Sequence, residues 1–109
     1  MPDSIAYVIG RAVRRARRAR DWSQEEAARQ LRLAGLPWHR WQLTDLESGR
    51  RAEIGLSEAL LLAETFDLPL ADLVPHSADD LRLGTTARPA NVVRSRLDGG
   101  HPNTRGVAL

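Results

Sequence analysis

The side chains with the most to offer chemically crowd between Ser23 and Arg51. On a helical wheel Trp41, Thr44, Asp45 and Ser48 share an outward face, with Arg40 at its edge and Arg50 and Arg51 directly after it. They supply an indole, two hydroxyls, a carboxylate and several guanidiniums. That set donates and accepts hydrogen bonds but contains no activated nucleophile, so it suits recognition better than bond making. Catalysis has no better foothold elsewhere, and no enzyme is expected. His39, His76 and His101 lie far apart without companion ligands at metal spacing, so neither a metal nor another cofactor is expected. Glu25 and Glu26 are adjacent, and a helix would point them in different directions, which rules them out as a matched acid and base. No glycine-rich phosphate loop follows a strand.

The charge distribution names the kind of partner this chemistry suits. The formal charge is only +2, but residues 1–22 carry +4, residues 23–51 carry +1, residues 52–75 carry −5 and residues 76–109 carry +2. A chain divided in this way presents a basic face to a polyanion and an acidic back to solvent. All 16 basic residues are Arg, for which compositional bias of the genome is a sufficient explanation. The absence of Cys excludes a disulfide framework and a cysteine nucleophile and fits a reducing compartment, here the cytoplasm. No signal peptide or membrane association is expected. Arg11, Arg14 and Arg15 interrupt the N-terminal apolar residues, and no apolar run approaches the roughly 20 residues of a spanning helix.

The elements that would position these residues follow from periodicity and caps. Asp3 or Ser4 can cap a first helix from about Ile5 to Arg20, with Ile5, Ile9, Val13 and Ala16 on one stripe and Arg11, Arg14, Arg15 and Arg18 opposite. Arg17 falls on the flank of the apolar stripe, where a guanidinium needs a partner. Ser23 and Glu26 form a capping box for a second helix to about Arg32, with Ala27, Ala28 and Leu31 inward. Residues 33–37 turn at Gly35 and Pro37, and a third helix begins near Trp38 or His39 and ends at Gly49, with Leu43 and Leu46 inward and Glu47 on the flank. Leu56, Leu60, Ala63 and Phe66 suit the core face of a fourth helix. Leu70 and Leu73 begin a short fifth that Pro75 stops.

This ordered set resembles the phage repressor and Cro type of helix-turn-helix, the xenobiotic-response-element class with the lambda-repressor-like fold. The likeness is carried by Arg17, by Trp22 through Ala28, by Leu43, Leu46 and Glu47 through Arg51, and by Leu60, Ala63, Phe66, Leu70 and Leu73. It spans about two thirds of the chain, with a loop between the second and third helices about five residues longer than the family's commonest form. The resemblance implies an all-α, five-helix bundle over residues 1–75, a helix-turn-helix DNA-binding domain. Residues 76–109 are expected to be a flexible, largely irregular tail, with a helical turn or two over 78–83 and another over 91–97.

The resemblance also implies roles. Arg40, Trp41, Thr44 and Asp45 match positions that face base edges in the major groove, while Gln24, Ser48, Arg50 and Arg51 match positions near the phosphate backbone. Arg17 and Glu47 match a structural salt bridge between the first and third helices. Some side chains keep two readings. Trp41 can touch thymine methyl groups or fold over the long loop against Trp38 or Leu36, and Asp45 can accept from cytosine N4 or hold Arg40 or another side chain. The expected function is that of a sequence-specific transcriptional regulator, a repressor working as a homodimer on double-stranded DNA. The alternative is an antitoxin-like or adaptor module built on the same scaffold. The tail, through Val92 and Val93 or Arg88, Arg94, Arg96 and Arg105, is the expected place for a protein partner or for added affinity for DNA.

Overall fold

Ser4 opens the first helix: its hydroxyl accepts the Tyr7 N–H at 3.1 Å and caps α1, Ile5–Ala19. The computed structural model describes residues 3–74, 80–83 and 86–98. Ser23 caps α2, Gln24–Ala34, by accepting the Glu26 N–H at 3.0 Å. Glu26 does not return the bond. Its carboxylate accepts from Gln30 at 2.8 Å and Arg29 at 2.7 Å, so only one arm of the expected capping box forms. Those two bonds hold the Glu26 carboxyl below its usual range. Gly35 ends α2 in the left-handed region at φ 111°, a conformation that costs a residue with a Cβ.

The third helix, α3, spans Arg40–Ser48 and starts with the His39 N–H donating to Gln42 Oε1 at 2.6 Å. Gly49 ends it at φ 83°. The fourth, α4, covers Leu56–Thr65, and Leu70–Leu73 make a single 3-10 turn in place of the expected fifth helix. Pro69 precedes that turn and leaves it room for four residues before Val74 reverts to extended backbone. Pro75, expected to stop the element, lies outside the described residues, as do Gly84, Gly99, Gly100, Pro102, Arg105, His76 and His101.

Around these helices the main core gathers Ile9 and Val13 of α1, Leu31 of α2, Leu43 and Leu46 of α3, Leu62 of α4, Phe66 and Leu73. Each such side chain contributes about 2 kcal/mol on burial. One face is corrected. Leu56 and Leu60, expected inward, are 68% and 48% exposed; Ala63 and Phe66 are buried as expected, and Ala59 and Leu62 complete the inner face. The run Leu60-Leu61-Leu62 offers an apolar residue to either face. Packing against α2 selects the side with two alanines, which permits close approach.

The larger correction is C-terminal, because the fold is not purely helical: a strand occupies 80–83, where a helical turn is expected, and another 86–89, whereas the helical stretch expected over 91–97 is present. Asp3–Ser4 form β1, which pairs in parallel with β2, Asp80–Leu83, and β2 pairs antiparallel with β3, Thr86–Pro89. Strand order is β1-β2-β3. A helix, α5, follows over Ala90–Leu97 and packs with Leu81 against Val8 and Val74 in a second core. Arg94 staples α5 to the 3-10 turn. One of its nitrogens donates to the Ala71 and Val74 carbonyls at 2.6 and 2.9 Å, and the other to Asp72 Oδ1 at 2.6 Å. Arg94, one of the four tail arginines expected to add affinity for DNA, is therefore committed to the fold.

Candidate functional site

The position of α3 is set from behind. Gly10 lies against Leu46 so closely that a Cβ would collide with the Leu46 carbonyl oxygen. Beside that crossing Arg17 grips Glu47 with two bonds, Nε to Oε2 at 2.8 Å and Nη2 to Oε1 at 2.9 Å, and its Nη1 donates to the Trp22 carbonyl at 2.8 Å. Glu47 is the one buried charged residue among those described, 7% exposed, and Gln24 Nε2 donates to it as well at 3.2 Å. The carboxylate thus meets three donors, the condition under which a buried charge is tolerated.

This network engages two residues expected to touch DNA. Gln24 accepts the Thr44 hydroxyl at 2.9 Å while its amide nitrogen donates to Glu47, so its side chain ties α2 to α3. Thr44 is half-buried, and a hydroxyl that donates one bond retains the capacity to accept another. At the first position of α2, Gln24 also places its own main chain among the unpaired N–H groups of a helix start.

On the outer side, Arg40, Trp41, Thr44, Asp45 and Arg50 line one open concavity with Glu25 of α2. Arg40 is exposed and enters no ion pair among the described residues. Trp41 is 64% exposed, and the connection beneath it is filled instead by Leu36 and Trp38, both buried. Asp45 accepts from Arg50 Nε at 3.1 Å, so its partner is the arginine after the helix and not Arg40. Both side chains of that pair face solvent, and such a pair is worth at most about 1 kcal/mol, which leaves Arg50 exchangeable onto a phosphate.

Ser48 and Arg51 stand apart from this set. The Ser48 hydroxyl donates to the Asp45 carbonyl at 3.3 Å, and the residue lines a neighbouring groove between α3 and α1. Arg51 turns inward: its guanidinium lies 4.6 Å from the centre of the Trp38 ring and donates to Glu58 Oε2 at 2.8 Å. Burial pushes the Glu58 carboxyl up, but the Gly55 N–H, Arg51 and the Trp38 indole together outweigh it and hold it below its ordinary value. The Trp38–Arg51–Glu58 assembly had no signal in the sequence, where a paired arginine and a free one look alike. It fixes the long connection and the segment after α3, and Arg32 Nη1 adds a bond to the Trp38 carbonyl at 2.9 Å.

Among the described residues no group of three or more His, Cys, Asp or Glu could hold a metal ion, and no helix is long and apolar enough to cross a membrane. A two-helix unit with its second helix braced from behind and a polar outer face is suited to recognising a hydrogen-bonding polyanionic surface. The family model described as Helix-turn-helix matches residues 13–73, more than half of the chain. No curated protein and no solved structure matches it.

Proposed function

Since the chain belongs to the Cro and phage-repressor type of helix-turn-helix family, whose members bind DNA, we propose that it is a sequence-specific transcriptional regulator that reads the major groove with α3. The observation that carries this reading is the contrast within α3. Its inner residues are locked to α1 and α2, while Arg40, Trp41, Thr44 and Asp45 share an open concavity. Arg40 suits guanine O6 and N7 or a phosphate, Asp45 suits cytosine N4, and the exposed Trp41 ring suits thymine methyl groups. Arg50, Ser48 and the N-terminus of α2 at Gln24 contact the backbone and set the register. Arg51 supports the connection after α3 in place of the phosphate contact first expected of it.

The protein acts as a repressor in the cytoplasm, as a homodimer on a two-fold operator with half-sites about 34 Å apart. The 3-10 turn is covered by α5, whereas Leu56 and Leu60 lie exposed one turn apart on α4 and offer an apolar seam for the dimer contact. Function divides near residue 75. Residues 1–75 carry the DNA contacts, while β2 and α5 beyond them pack on Val8 of α1. Selection of bound sequences from a random duplex pool tests the proposal: an enriched palindrome supports it. An adaptor on the same scaffold would form a stable protein complex and enrich no sequence even at low salt, and that result would overturn it.

A further inference from the structure

One side of α1 takes no part in either core. Arg11, Arg14, Arg15 and Arg18 recur there at helical spacing and, with Tyr7, Glu47 and Ser48, line a groove of about 410 Å³ against the end of α3. All four arginines are exposed, and none forms an ion pair among the described residues. Arg11 rests on Tyr7, its Nη1 donating to the hydroxyl at 2.9 Å and its guanidinium lying 5.6 Å from the ring centre. The one carboxylate in the lining, Glu47, is already engaged by Arg17 and Gln24 and offers the groove little free negative charge. Like charges three and four residues apart weaken a helix unless an anion relieves them.

From these observations we infer that the groove holds DNA-backbone phosphodiesters beside the α3 footprint, extending the contact from Ser48 across the face of α1. The inference rests on the DNA-binding reading above and names an additional surface for the same partner. Arg11 to Arg18 spans roughly 10 Å of helix axis, enough to follow two or three phosphates of a strand that advances about 3.4 Å per nucleotide. Guanidiniums suit this task because their forked donors match phosphate oxygens. Contacts of this kind add affinity without reading sequence.

The test is duplex affinity against salt concentration for the full chain, for Arg14→Ala with Arg18→Ala, and for Arg14→Lys with Arg18→Lys. The expected result is a log–log slope shallower by about two in the alanine variant, with affinity lost equally on a selected and a random duplex. The lysine variant keeps the slope, and thermal melting shows all three chains folded. Wild-type binding with an unchanged slope in the alanine variant overturns the groove and spares the function. Failure of the wild type to bind any duplex sinks both. Titration with inorganic phosphate separates the other source of the same chemistry: saturable binding that depends on Arg14 and Arg18, with no change in duplex slope, makes this a small-anion site and overturns the inference.

Discussion

The two faces of α3 are built to opposite specifications. Inward, Leu43 and Leu46 are buried, Glu47 is held by a bidentate guanidinium, and Leu46 touches α1 where only a glycine fits. Outward, the contacts are exposed: Arg50 on Asp45, a Ser48 hydroxyl on a carbonyl, and Trp41 open to solvent. The inner face fixes where the helix lies, and of the outer side chains Thr44 alone shares that duty, through its bond to Gln24 of α2. Under the proposed function, stability and recognition therefore fall largely to different side chains of one nine-residue helix.

Substitutions can break that separation or sharpen it. Arg17→Ala has the largest expected effect, about 3 kcal/mol lost in urea unfolding, because it strands a buried carboxylate. An unchanged denaturation midpoint would mean that Gln24 alone satisfies Glu47. Gly10→Ala should cost about 2 kcal/mol by forcing α1 and α3 apart, and should weaken duplex binding at temperatures where the chain is still folded. Acid titration gives a smaller signal. The Glu58 carboxyl lies below its ordinary 4.5 in the folded chain, so its contribution is present above that pH and lost as pH falls through the lowered value. Glu58→Gln should flatten the stability curve in that window alone, and a parallel curve would remove Glu58 from the account. Asp45→Ala comes last in stability, within about 0.5 kcal/mol, yet it should change the sequences selected from a random duplex pool. A large loss of stability there would show that the outer face is structural after all.

The elements legible in the sequence were those specified locally. Ser4, Ser23, Gly35 and Gly49 mark helix ends through their own backbone geometry, and the periodic apolar residues of α1 to α3 identify their inner faces. The sheet was illegible because Asp3 pairs with Leu81 and Ser4 with Arg82, a contact between the two ends of the chain in a strand of two residues. No pattern within a short window encodes that. Leu56 and Leu60 of α4 face outward, against the pattern, for a different reason. Consecutive leucines make every orientation apolar, and only the helix across from them decides. At the site, the residue types were legible and their commitments were not, as Asp45 on Arg50 and Arg51 on Trp38 and Glu58 illustrate.

The pairing of β1 with β2 bears on what counts as the portable unit of this molecule. The matched segment begins at residue 13, inside α1, and leaves out the strands and α5 that cover Val8 and Val74. Cutting the gene at those borders would remove the whole second core and the N-terminal half of α1, including Gly10, the residue packed on Leu46 of α3. A chimera carrying this helix-turn-helix onto another protein should therefore take residues 3–98 as its module, with any fusion partner joined beyond them.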